Sequence, residues 1–326
     1  MLIGLGLIGK ERLAAIRKLN DNENAKINVV GYLDHAASPV GLGEIHIDQL
    51  SSLDEVIKLA PDLVFVSTPH NVGFEISLAL LAAGIRVHLE KPMGRTFNEA
   101  RILFEATRDN SQLTIGFNYR YMAGVRQLLA DCRDRRFGEL ISVSMILGHG
   151  GSPSDRSSWK LDPTRAGGGC LIDPGVHLLD LLCCVVNEPK PVACQTWSGF
   201  WNTGIEEEAH VALTSGKTLA QLDLSVVRWR SAFSIEVRGV DGYGRVEGRG
   251  RSYGPQIYTR GKRWGWAEGK SQRDSEEIVC VDDCSSSFAE EISDLVGLTG
   301  STAHFGTSED GLRVMALHDQ IRLLLT

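Results

Sequence analysis

Between residues 167 and 180 the chain reads GGGCLIDPGVHLLD. Asp173 and His177 stand four apart there, among leucines and a valine of the kind that fill a core. On a helix that spacing puts both side chains on one face. An imidazole exchanges protons near neutral pH, and a carboxylate beside it can orient or charge-stabilise its neighbours. Asp173 followed by Pro174 also suits a helix N-cap with proline at the first helical position. His177 would then be a core histidine with Asp180 as its partner. Pro174 would kink a helix that had already begun near Cys170, so the spacing leaves the start of that helix open.

Nearer the amino terminus, Gly4-Leu5-Gly6-Leu7-Ile8-Gly9 is a G-x-G-x-x-G, and Asp34 follows 25 residues beyond Gly9. In such a motif the first glycine permits a tight turn and the second lets backbone approach a pyrophosphate. The third lets helix pack on strand, and a carboxylate at about this distance accepts ribose hydroxyls. The helix that follows offers free N–H groups and a favourable dipole to phosphate. An acid at 34 repels the extra phosphate of NADP, and no Arg or Lys follows it immediately. NAD is favoured, NADP less so.

The elements around these residues come in two kinds. Up to residue 118, strand and helix patterns alternate. MLI, KINVVGYLD, DLVFVST, IRVHLE and QLTIGF read as strands. KERLAAIRKL, SSLDEVIKLA, FEISLALLAAG (closed by Gly84) and TFNEARILFEATR read as helices. Ser52 with Glu55 and Thr96 with Glu99 form capping boxes. Strand and helix in alternation with short connections predict a doubly wound parallel sheet. Only three residues precede Gly4, fewer than the roughly five of an ordinary strand. Either the strand is clipped or the numbering begins inside the natural chain.

Beyond residue 190 the period becomes two. LAQLDLSVV and FSIEV alternate apolar with polar residues, and Asp241-Gly242 makes a hairpin turn. SFAEEISDLVGL and SEDGLRVMALHDQIRLLL read as helices. We expect two domains: 1–118, a nucleotide-binding Rossmann domain, and 119–326, an α+β substrate and oligomerisation domain on an open, mostly antiparallel sheet.

Composition narrows the function classes. The chain has 41 Asp plus Glu against 34 Lys plus Arg among its 326 residues. That balance argues against a nucleic-acid partner, and RDRR at 133–136 and RGKRW at 260–264 read as solvated faces. No apolar run approaches the roughly 20 residues that cross a bilayer, and the amino terminus lacks the marks of a secretory signal. Seven cysteines, an odd number, fit reduced thiols in a cytoplasmic protein. Cys280 and Cys284 find no second pair to complete a zinc site, so no metal is expected.

Five motifs stand in order: the glycine turn, STPHN, LEKPMGRT, GFNYRY and GGGCLIDPGVHLLD. From residue 4 to 180 this series resembles the Gfo/Idh/MocA oxidoreductases, which include glucose-fructose oxidoreductase and inositol dehydrogenase. The resemblance implies that Lys91, of Glu90-Lys91-Pro92, joins Asp173 and His177 of D-x-G-x-H as the catalytic group beside a nicotinamide. Hydride removal from a carbinol needs a base for the hydroxyl proton and a positive group near the developing alkoxide. His177 can be that base and Lys91 that cation, and lysine at the end of a parallel strand lies where such sheets bind ligands.

The expected cofactor contacts are Gly4, Gly6, Leu7, Ile8, Gly9, Asp34, Thr68, Pro69, His70, Glu90, Lys91 and Asn118. The expected substrate contacts are Lys91, Tyr119, Trp159, Arg165, Asp173 and His177, with Lys160 also in the loop before the catalytic segment. Trp229 and Arg230 cannot be placed from the sequence. The implied activity is NAD-dependent hydride transfer to or from a sugar, polyol or sugar derivative. The alternatives are an NAD-retaining glycosidase of the same fold and a non-catalytic NAD(H) sensor. A small-molecule substrate, no membrane and a homodimer or homotetramer complete the expectation.

Overall fold

The computed structural model describes residues 1–21, 26–35, 47–109, 111–151, 158–262, 276–298 and 304–325. Residues 263 and 264, which end the RGKRW cluster, lie outside the described residues. The chain forms two compact units. The first takes Met1–Asn118 with Thr164–Gly167 and Phe288–Met315. The second takes Tyr119–Pro163, Gly168–Ser287 and Ala316–Thr326.

In the first unit β1 (Leu2–Ile3), α1 (Leu7–Asp21), β2 (Tyr32–Leu33), α2 (Leu53–Leu59) and β3 (Val64–Val66) alternate. They are followed by α3 (His70–Ala82), β4 (Val87–Glu90), α4 (Phe97–Ala106) and β5 (Leu113–Gly116). The strands run parallel in the order β5-β4-β3-β1-β2. The hydroxyl half of each capping box is made, while the glutamates accept the N–H of the preceding residue, Ser51 and Arg95. The Ser52 hydroxyl accepts the Glu55 N–H at 3.3 Å, and the Thr96 hydroxyl accepts that of Glu99 at 3.2 Å. Gly84 closes α3 with a left-handed φ of 80°, but α3 starts at His70, ahead of the expected FEISLALLAAG. Pro69 supplies the turn into it.

The strand expected over KINVVGYLD shortens to Tyr32–Leu33. β2 ends the sheet order and pairs with the two residues of β1, and Tyr32 also bridges Gln49. Residues 26–31 therefore have no ladder to extend, and Ile27 and Val29 pack as partly buried side chains on the core instead.

The second unit opens with a 3-10 turn beginning at Asn118, then α5 (Ala123–Arg133) and the long β6 (Leu140–Gly148). The short α6 (Pro163–Ala166) falls almost wholly in the first unit; α7 (Gly175–Val185) returns to the second. There follow β7 (Lys190–Trp197), β8 (Glu208–Ser215), β9 (Thr218–Ser225), β10 (Ala232–Gly239), β11 (Tyr243–Glu247), β12 (Gln256–Gly261) and β13 (Glu276–Asp282). They form one sheet, β13-β12-β11-β10-β6-β9-β8-β7, antiparallel except for the parallel pair β6 and β9. Asp241-Gly242 makes the β10–β11 hairpin, pairing Arg238 with Tyr243. One face buries Val143, Met145, Leu147, Leu222, Leu224, Ile235 and Val237, and the alternate positions are polar.

The closing elements are α8 (Ser287–Leu295), β14 (Gly306–Thr307) and α9 (Ser308–Arg322). Sequence order had assigned them all to the second domain. In the structure α8 belongs almost entirely to the first unit. Ala289, Ile292 and Leu295 complete a core with Ala15, Ile16 and Phe65, and β14 adds an antiparallel edge to β5. An amphipathic helix packs where its apolar face finds a matching one, which chain order does not reveal.

Candidate active site

The glycine turn has the build a dinucleotide requires. A Cβ on Gly4, whose φ is +86°, would fall 2.5 Å from the Ser67 carbonyl oxygen, and one on Gly9 would fall 2.0 Å from that of Gly4. Both glycines are thus obligatory for packing, whereas nothing lies within 4 Å of a Cβ on Gly6. That position leaves backbone open to an approaching group. Leu7 and Ile8 open α1, whose first turn carries no acid, so its free N–H groups and dipole favour an anion. The Asp34 carboxylate accepts the Leu5 N–H at 2.5 Å, tying the acid to the turn.

Just beyond β3, Ser67 Oγ and Thr68 Oγ1 of residues that lie against Gly4, and Asn71 Oδ1 at the start of α3, are buried with no hydrogen-bond partner among the described residues. Buried polar atoms are ordinarily paired. Three such orphans fit the polar contacts a bound NAD would supply. Pro69 and His70 start α3 rather than ending a strand, and His70 Nδ1 lies 2.7 Å from the Ala166 carbonyl oxygen.

Glu90 ends β4 and Lys91 follows it. The Glu90 carboxylate is gripped by Arg12, with Nε 2.6 Å from Oε1 and a terminal nitrogen at 2.5 Å. Arg12 is fully buried on α1, pairs also with Glu291 of α8 at 3.0 Å, and lies over the rings of Phe65 and Phe288. Burial disfavours its charge, but the two carboxylates outweigh that and raise its pKa. His88, with Nε2 3.8 Å from Glu291, is held well below its ordinary pKa by burial and by the charge of Arg12. Arg12 was not a sequence candidate. The available signal was a charged residue at an otherwise apolar position, since Gly9, Leu13 and Ile16 share its buried face.

In the second unit Asp173 and His177 do not share a helix face. α7 begins at Gly175, with Pro174 at the N-cap position, so Asp173 precedes the helix and His177 lies in its first turn. The chain ahead of α7 is packed closely against its surroundings. A Cβ on Gly175 would sit 2.7 Å from the Cys170 carbonyl oxygen, and one on Gly169 only 1.9 Å from that of Glu206. Asp173 Oδ2 pairs with Lys160 Nζ at 2.8 Å. Lys160 ends a 3-10 turn that starts at Trp159, capped by the Ser158 hydroxyl.

Consecutive residues of GFNYRY read out α7. The Tyr119 ring stacks parallel to the His177 imidazole with centroids 3.8 Å apart. Arg120 clasps Asp180 one turn further along, with Nε 2.9 Å from Oδ2 and a terminal nitrogen 2.5 Å from Oδ1. Asp180 is therefore a partner of Arg120. Tyr119 is buried, and burial raises its phenol well above the usual range.

The candidates thus fall into two groups. Gly4, Gly6, Leu7, Ile8, Gly9, Asp34, Thr68, Pro69, His70, Glu90, Lys91, Asn118 and Arg165 lie in the first unit. Tyr119, Trp159, Lys160, Asp173 and His177 lie in the second. Arg165 is exposed on α6 and Trp229 is fully exposed. Among the described residues no group of three or more His, Cys, Asp or Glu side chains could hold a metal ion. Among them, too, no helix is long and apolar enough to cross a membrane.

Two family descriptions match the chain. Residues 1–117 match the oxidoreductase family, NAD-binding Rossmann fold, and residues 124–244 match the GFO/IDH/MocA C-terminal domain. The chain belongs to the GFO/IDH/MocA oxidoreductase family, and its first domain is the NAD-binding Rossmann domain of that family. Levoglucosan dehydrogenase of Pseudarthrobacter phenanthrenivorans is 28% identical over 144 residues, 42% of this chain and 37% of that protein. The 1,5-anhydro-D-fructose reductase of Ensifer adhaerens is 30% identical over 188 residues, 56% of this chain and 55% of the reductase. The matched region therefore spans about half or less of these relatives' length. A solved levoglucosan dehydrogenase in complex with NADH shares the fold, with a TM-score of 0.83 at 18% identity over 99% of this chain and 95% of that one.

Proposed function

We propose that the protein is an NAD-dependent oxidoreductase that moves hydride between the nicotinamide and a carbinol carbon of a sugar or sugar derivative. Family membership supports the reaction class. The names of the relatives, a levoglucosan dehydrogenase and an anhydrofructose reductase, support the substrate class. The observation that carries the reading is the glycine turn together with three buried polar atoms that have no hydrogen-bond partner among the described residues, Ser67 Oγ, Thr68 Oγ1 and Asn71 Oδ1.

The bound NAD would supply the hydride acceptor. The chain's own residues do the rest. Gly4, Gly6 and Gly9 shape the turn, and the α1 amino terminus with Leu7 and Ile8 holds the pyrophosphate. Asp34 takes the adenosine ribose. His177 removes the hydroxyl proton of the substrate, Lys91 stabilises the developing alkoxide, and Asp173, charge-paired with Lys160, fixes the local field.

Nicotinamide absorbance followed over a panel of sugars, polyols and anhydrosugars tests the reading. We expect turnover with at least one, lost by at least two orders of magnitude in Lys91→Met and His177→Ala while NAD still binds. Full turnover in both variants would defeat the assignment of roles.

A further inference from the structure

Arg249, between β11 and the turn over 251–253, stands behind His177. Its guanidinium carbon lies 5.1 Å from the Tyr119 ring centroid and 4.0 Å from that of Tyr253. The His177 imidazole covers one face of Tyr119 at an interplanar angle of 1°. The guanidinium must therefore take the other face, giving three layers: imidazole, phenol, guanidinium. Phe233 meets Tyr119 edge-on at 86° and locks its plane.

Two carboxylates near this stack, Asp173 and Asp180, are each paired with a cation. Asp173 faces the Tyr119 ring and is paired with Lys160 at 2.8 Å. Asp180, on α7 itself, is clasped by Arg120. Cys284 lies beside Arg249 and Tyr119, with Asp282 and Asp283 around its thiol, and burial first, then Asp282, pushes that thiol up to about 12, so it is neutral. Among the described residues no carboxylate forms an ion pair with Arg249, although it is half-buried. Burial opposes its charge, but the neighbouring phenols outweigh that and raise its pKa, so the guanidinium stays charged.

We propose that Tyr119 and Arg249 are positioning residues for His177: the phenol ring fixes the plane of the imidazole, and the guanidinium behind it holds the imidazole in its neutral, proton-accepting form. The physical basis is simple. Asp173 and Asp180 are each paired with a cation, the charge of Arg249 lies behind the Tyr119 ring that stacks on the imidazole, and a nearby cation disfavours imidazolium. The inference rests on the reading of His177 as the base, and it gives Tyr119 a role other than substrate contact.

The test reads His177 directly by NMR of the histidine-labelled protein, with its resonance assigned by loss in His177→Gln. At a separation of two ring layers and an effective dielectric between water and a protein surface, Arg249→Met should raise the His177 pKa by about half a unit to one unit. Arg249→Lys should recover most of the shift, and Tyr119→Phe should stay within about 0.2 units of wild type, because the ring remains. With a substrate from the panel, the acid limb of kcat/KM for oxidation should move to higher pH in Arg249→Met by the same amount, with KM for NAD unchanged. An unshifted His177 titration in folded Arg249→Met, matched in Arg249→Gln, overturns the proposal. A titration that shifts while the kcat/KM limb stays put upholds the electrostatic coupling and removes His177 from the role of base.

Discussion

At the scale of single residues, tight geometry supplies sharp expectations. Gly9→Ala would drive a methyl group into the Gly4 carbonyl, 2.0 Å away. The turn cannot relax around backbone, so calorimetric titration should show no NAD binding even if the fold survives. Asp34 accepts a backbone N–H of the same turn, so Asp34→Ala loses both the anchor of that turn and the ribose acceptor. We expect NAD affinity to fall about tenfold or more, since a hydrogen bond to a charged group contributes about 1.5–3 kcal/mol. Titration with both cofactors would also show NADP discriminated against less strongly. A third change probes a residue the motifs never flagged. Arg12→Leu strands Glu90 and Glu291 without their buried cation, and breaking such a pair costs about 3–5 kcal/mol. A thermal melt should record it, and an unchanged Tm would mean that the paired charges contribute nothing to stability.

Among the elements, α9 gives the fold a pH dependence. His318 is buried on it, and its pKa is lowered to about 4 by burial, with Arg322 adding to the effect. Its Nε2 has no hydrogen-bond partner among the described residues. The unfolded chain takes up this proton near pH 6.5 and the folded chain only near pH 4. The stabilising contribution is therefore full above about pH 6.5 and is lost as pH falls toward 4, amounting to about 3 kcal/mol. Urea melts at pH 7.5 and 5 should show the loss, and His318→Leu should flatten the slope. Part of it should persist, because His88 is depressed in the same direction. Elements also show where local pattern sufficed. The hydroxyl caps of Ser52 and Thr96, the glycine stop of α3 and the Asp241-Gly242 hairpin formed as read, because each is decided within a few neighbouring residues. β2 did not, because a strand's length depends on its ladder partner. The start of α7, which the sequence left open, falls at Gly175.

For the molecule as a whole, one face of the eight-stranded sheet is outward and mostly polar, with Ser142, Ser144, Ser234 and Glu236 at its centre and Leu219 and Ile278 exposed toward its sides. We expect a homodimer or homotetramer, and light scattering at micromolar concentration that returned a monomer would refute it. The order of the motifs along the chain, the alternation of strand and helix, the later change of period, and the candidacy of the glycine turn, Lys91, Asp173 and His177 were all legible in the sequence, because each is written in adjacent residues or a short repeat. That α8 closes the core of the first unit, that Arg12 grips Glu90 and Glu291, that Asp180 answers Arg120, and that Tyr119 lies between His177 and Arg249 were decided only in three dimensions. Those partners lie 60 or more residues apart in most cases, and a contact at that separation leaves no periodic trace: it exists only once burial has made an unpaired charge or an uncovered ring costly enough to demand a partner.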